Sequence, residues 1–184
     1  MSGAGEPGDL GGDPACWAHL DELHADRRDA APPADPESAG STRPDLDRRE
    51  HIEQLVVDFY REVAMDDLLG PIFAAEGVDW AVHIPKLVDF WAWQLLGEQA
   101  YERNPLRAHE PVHARHPFRT EHYLRWLDLF ESTLDGSFQG PLAETARGRA
   151  RRMAGALQRL LRGESAPGGD AVAPLLRPAR RVNG

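Results

Sequence analysis

Apolar positions recur with a helical period from roughly residue 46 to 163 and are sparse on either side. In "DLDRREHIEQLVVDFYREV", Ile52, Leu55, Val56, Phe59, Tyr60 and Val63 follow one another at i, i+3, i+4 intervals. They predict one helix with a single buried stripe. "LGPIF" is expected to end it through Gly70 and Pro71. The next helix starts from Asp79 as N-cap and sets His83, Leu87, Trp91 and Leu95 four apart on a shared face. Pro85 lacks the amide that would bond back to the Ala81 carbonyl, so a kink or a restart is expected there. Gly97 supplies the stop. Asn104-Pro105 opens a short helix over roughly 105–115, and Pro117 ends it by pushing His116 out of helical angles. Thr120 is read as the cap of a helix with the stripe Tyr123, Trp126, Leu127, Phe130 and Leu134, closed at Asp135-Gly136. The last helix starts at Pro141 and carries Leu142, Ala146, Ala150, Met153, Leu157, Leu160 and Leu161. Gly148 and Gly155 weaken its propensity but would permit close helix contact. No segment alternates as a half-buried strand does. The prediction is an all-α fold of about five main helices.

Composition divides the chain into three parts. Residues 1–45 are rich in Gly, Pro, Ala, Asp and Glu, and "RRDAAPPADPESAGSTRPD" has no apolar period with which to offset chain entropy. A disordered acidic extension is expected there. Trp17, Leu20 and Leu23 give a local helical bias inside it. Residues 46–163 form the domain, and 164–184, again Gly/Pro-rich and ending "RPARRVNG", read as a disordered tail. The net charge of −9 argues against a nucleic-acid binder. No apolar run approaches a membrane span, the start lacks the pattern of a signal peptide, and a single cysteine, Cys16, forms no intrachain disulfide. The expected location is the cytoplasm.

Candidate chemistry centres on "LRAHEPVHARHPF", with His109, His113 and His116. His109 and His113 stand at i and i+4, on one side of the short helix, while His116 falls at its frayed end. Three readings of the residues stand side by side. The histidines could be surface or hydrogen-bonded core groups. They could be part of a zinc-like site, which needs a third and fourth ligand that the spacing does not supply. One of them could be the axial ligand of a haem iron, which asks for a large apolar slot. The aromatic supply for such a slot is present in Phe59, Phe73, Phe90, Trp91, Trp93, Phe118, Tyr123, Trp126 and Phe130, although an ordinary core would use the same residues.

"FYREV", "DLLGPIF", "WAVHIPKLVDFWAWQLLG", "Y-x-x-NPL", the histidine stretch and "HYLRWLDLF" occur in this order. Over roughly residues 48–162 the chain resembles a truncated haemoglobin, and is most similar to the third group of that family. The resemblance implies a two-over-two helical sandwich around haem b. It implies that Tyr60, His83 and Trp126 face a bound gas, and that Phe73, Leu87, Phe90, Trp91, Phe118 and Tyr123 line the haem. For the proximal iron ligand, the family spacing to the next helix favours His113, which lies ten residues before Tyr123 and thirteen before Trp126. Counting forward from "NPLR" favours His109, the alternative. The implied function is binding of dioxygen and other diatomic gases, with conversion of nitric oxide or peroxide as the enzymatic form. Turnover of that kind needs electrons from a partner reductase. A sensor or carrier without turnover, or a haem-free interaction module, are the other classes.

Overall fold

A computed structural model describes residues 43–98 and 108–163. The described residues form six helices and no strand: α1 Arg49–Met65, α2 Gly70–Ala75, α3 Trp80–Leu96, α4 Glu110–Arg115, α5 Thr120–Ser137 and α6 Pro141–Leu161. The predicted all-α architecture is therefore observed. α1 is the hub: it packs on α2, α3 and α5, while α6 lies along α5 and touches α3. The α1 stripe is buried as its spacing predicts, with Ile52, Leu55, Phe59 and Val63 fully inaccessible. No described helix is long and apolar enough to cross a membrane. The Trp17–Leu23 patch, the Asn104-Pro105 start signal and the tail lie outside the described residues.

Several helix ends differ from the sequence expectation, each for a local reason. α1 stops at Met65, before the Gly70-Pro71 pair. The stop comes from Asp66, whose Oδ1 accepts from the backbone N–H groups of Leu68 and Leu69 at 3.0 and 2.9 Å. Gly70 and Pro71 instead open α2, where proline has no hydrogen bond to lose. Gly70 is required by proximity: a Cβ there would lie 2.6 Å from the Ala64 carbonyl oxygen. α3 begins at the expected cap, with Asp79 Oδ1 accepting from Val82 N–H at 3.3 Å, and ends at Gly97 with φ 73°. Contrary to a restart, α3 is one element through Pro85.

Thr120 is the first helical residue of α5 and not its cap. Its hydroxyl accepts from Gln158 of α6 at 3.0 Å, while His122 Nδ1 accepts the Arg119 amide at 2.8 Å. α5 also runs past Asp135-Gly136 to Ser137. α6 starts at Pro141 as expected, after Gly140 with φ 129° and no side chain to cap with. The cap comes from far away in sequence: Asp45, ahead of α1, accepts from Leu142 N–H at 3.0 Å and Ala143 N–H at 2.8 Å. α6 buries Ala143, Ala146, Ala150, Ala154 and Ala156, whereas Leu160 is exposed. Gly148 and Gly155 are not points of close helix contact. The guanidinium groups of Arg152 and Arg159 lie over them, 3.3 and 3.4 Å from where a Cβ would stand.

Candidate haem site

Tyr60, near the C-terminal end of α1, is almost fully buried. The ring of His83 from α3 meets it edge-on at 6.2 Å between centroids. Trp80, one turn earlier on α3, touches both, at 5.9 Å from Tyr60 and 5.9 Å from His83. Phe73 of α2 stacks on Trp80 at 5.4 Å and approaches Tyr60 at 6.2 Å. Three helices thus build one aromatic cluster around Tyr60 and His83. Phe59 joins it to the core, 4.6 Å from Tyr60 and edge-on to Trp126 at 5.2 Å. Trp126, half-buried, stacks on Phe130 at 5.5 Å, and Phe130 stacks on Trp91 at 5.0 Å. Trp126 therefore reaches the Tyr60–His83 group through Phe59. Phe90 is buried edge-on against Trp91 at 5.4 Å, and Leu87 is half-buried on the same helix.

A second group gathers around Phe118. Its ring lies 5.5 Å from His113, 6.4 Å from His109 and 6.1 Å from Tyr123. His109 is the N-cap residue of α4, and His113 lies within that helix. The His113 imidazole has a backbone partner. Pro117 turns the chain back so that the Phe118 amide N–H donates to His113 Nδ1 at 3.0 Å. Nδ1 of His113 therefore carries its lone pair, and the ring proton belongs on Nε2. A histidine that binds a metal through Nε2 needs the reverse: a protonated Nδ1 that donates to an acceptor. His109 also acts on the other group. His83 has its pKa lowered by burial first, then by the charges of Lys86 and of His109. His116 points elsewhere, its Nε2 lying 3.3 Å from Glu76 Oε1.

The residues present suit an apolar cofactor with one protein ligand. No side chain of α4 is buried, and its contact with the other helices is slight. Its neighbouring His109, His113 and Phe118 are only half-buried, and so are His83 and Leu87 on α3. Among the described residues no three histidine, cysteine or carboxylate groups converge as an ordinary metal site would need, whereas haem asks a single imidazole of the protein.

The sequence matches the family described as bacterial-like globin over residues 46–159, well over half of the chain. The chain belongs to that family. This globin is 34% identical over 117 residues to the group 3 truncated haemoglobin of Campylobacter jejuni, a match spanning 61% of this chain and 90% of that protein. The crystal structure of group III truncated haemoglobin from Campylobacter jejuni superposes with a TM-score of 0.61 at 32% identity, covering 68% of this chain and 99% of the other. The resemblance to the third group of truncated haemoglobins, and the globin fold it implies, thus hold. Membership implies haem-based ligand binding and binding of diatomic gases.

Two residues of the site escaped the sequence reading as functional groups. Trp80 contacts Phe73, Tyr60 and His83 at once. Its signal was the W-x-x-H spacing, which puts it one turn from His83. Glu76 follows α2 and binds Arg115 and His116 beyond α4. No local pattern in the sequence marks it.

Proposed function

We propose that this globin holds haem b and uses it to bind a diatomic gas, dioxygen foremost. The observation that carries this reading is the convergence of Tyr60 and His83, with Trp126 joined through Phe59, in one aromatic cluster around the buried Phe59 and Tyr60. Haem b, when bound, would supply an iron able to take both a protein imidazole and a diatomic gas. The Tyr60 hydroxyl and the Trp126 indole N–H are hydrogen-bond donors suited to a gas that gathers negative charge. In a water-poor pocket each such bond contributes about 1 kcal/mol or more. His83, kept largely neutral by burial, lines the same side without adding a positive charge. Phe73, Leu87, Phe90 and Trp91 provide apolar surface for the macrocycle, with Phe118 and Tyr123 on the histidine side.

We assign the axial bond to His109, the alternative of the sequence reading, ahead of His113. One observation supports this: the Phe118 amide occupies His113 Nδ1 as a donor. Strong retention of gas suits chemistry better than transport. Oxidation of nitric oxide or activation of peroxide would then draw electrons from a separate reductase. The decisive measurement is an absorption spectrum of the purified protein mixed with haem. A Soret band that shifts with carbon monoxide is expected, and its absence would end the proposal.

A further inference from the structure

We propose that Glu76 is a latch that holds the α4 segment to the Tyr60–His83 side of the molecule, and so a positioning residue for haem retention. The proposal rests on the reading that a histidine of this segment binds haem. α4 has six residues, too few to be stable as a helix without outside support. It has no buried side chain, and its packing on the other helices is slight. The ring contacts of Phe118 with His109, His113, His122 and Tyr123 all fall within residues 109–123, so they order this stretch locally.

Glu76 reaches in from a different part of the fold. It follows α2, whose Phe73 stacks on Trp80 beside Tyr60 and His83. Its backbone N–H is fixed to the Ile72 carbonyl at 3.0 Å. Its Oε1 accepts from Arg115 Nε at 2.8 Å, its Oε2 accepts from the second arm of the same guanidinium, and Oε1 also meets His116 Nε2 at 3.3 Å. A two-pronged arginine–carboxylate pair fixes direction as well as distance. The Glu76 side chain is 15% exposed and that of Arg115 55%, so solvent partly screens the pair and its contribution is modest. One carboxylate thus binds both the last residue of α4 and its C-cap residue. With His109 as the haem ligand, movement of this segment withdraws that ligand, so release of the latch should be coupled to release of haem.

The test uses the full chain as wild type, Glu76→Gln and Arg125→Ala. Arg125→Ala breaks a comparable pair, with Asp66 at 2.6 Å, that does not involve α4. Hydrogen exchange is followed in the haem-free protein, and haem transfer to excess apomyoglobin in the loaded one. Glu76→Gln is expected to speed exchange at residues 110–116 by about threefold, with α1 and α5 unchanged, and to speed haem loss by a similar factor. Arg125→Ala should leave both at wild-type rates. Unchanged exchange at 110–116 in Glu76→Gln, or acceleration spread evenly along the chain, overturns the latch. Faster exchange with unaltered haem loss overturns its role in retention. If the wild type shows no Soret band, the haem reading fails instead, and the exchange measurement still decides whether Glu76 holds the segment.

Discussion

Separate replacement of His109 and His113 distinguishes a metal ligand from a structural acceptor. In the structure the His113 ring takes part in a directional bond, the 3.0 Å contact in which the Phe118 amide donates to Nδ1. His113→Ala leaves that amide without its acceptor in a half-buried turn, which costs about 1 kcal/mol of stability. His113→Asn should recover most of this, because the Asn Oδ1 can stand where Nδ1 stood and accept the same N–H. Neither change should remove the axial imidazole. His109→Ala should remove it, while leaving the turn at Phe118 intact. Urea unfolding of the haem-free proteins measures the first effect. The iron–histidine stretch of the ferrous protein, by resonance Raman, reads the second. The reasoning is refuted if His113→Ala and His113→Asn both abolish the stretch while His109→Ala keeps it. That result would mean that the His113 ring turns over, loses its bond to Phe118 and takes the metal, as its spacing to Tyr123 and Trp126 suggests.

Tyr60→Phe removes one donor from the buried cluster and keeps the ring, so dioxygen release should speed up by about tenfold in stopped-flow measurements; an unaltered rate would take Tyr60 out of the mechanism. Asp45→Ala strips the two amide bonds that cap α6 and should lower stability by about 1–2 kcal/mol in urea, with Asp45→Asn losing less. Burial depresses the pKa of His83 below its ordinary 6.5, so between that value and the lower folded value the unfolded chain binds more protons. Stability of the haem-free protein should therefore fall as pH drops through this window. His83→Gln should remove that part of the pH dependence, and an identical profile in both proteins would show that His83 does not contribute.

The sequence made the helices legible because their apolar faces are long and strongly periodic, and burial on α1 and α5 follows the spacing. Helix ends were less legible because what ends or starts a helix here often comes from elsewhere in the chain. Asp45 caps α6 from 97 and 98 positions away in sequence, and Thr120 is held by Gln158. Pro85 shows how a local signal is outweighed. Its cost inside a helix is about 3 kcal/mol. Ile84, Val88, Trp91 and Leu95 of α3 are buried, each worth about 1.5–3 kcal/mol against solvent, so the helix continues through it. The site divides in the same way. Tyr60, Phe73 and His83 were accessible through short motifs, since each lies on a regular element at a fixed register. The choice between His109 and His113 was not, because spacing counted from one side contradicts spacing counted from the other. In the proposed reading His113 is set apart by the backbone amide that donates to its Nδ1, and that bond follows from the turn Pro117 imposes rather than from helical phase. A histidine can satisfy the periodicity expected of a ligand and still spend its lone pair on the chain that positions it.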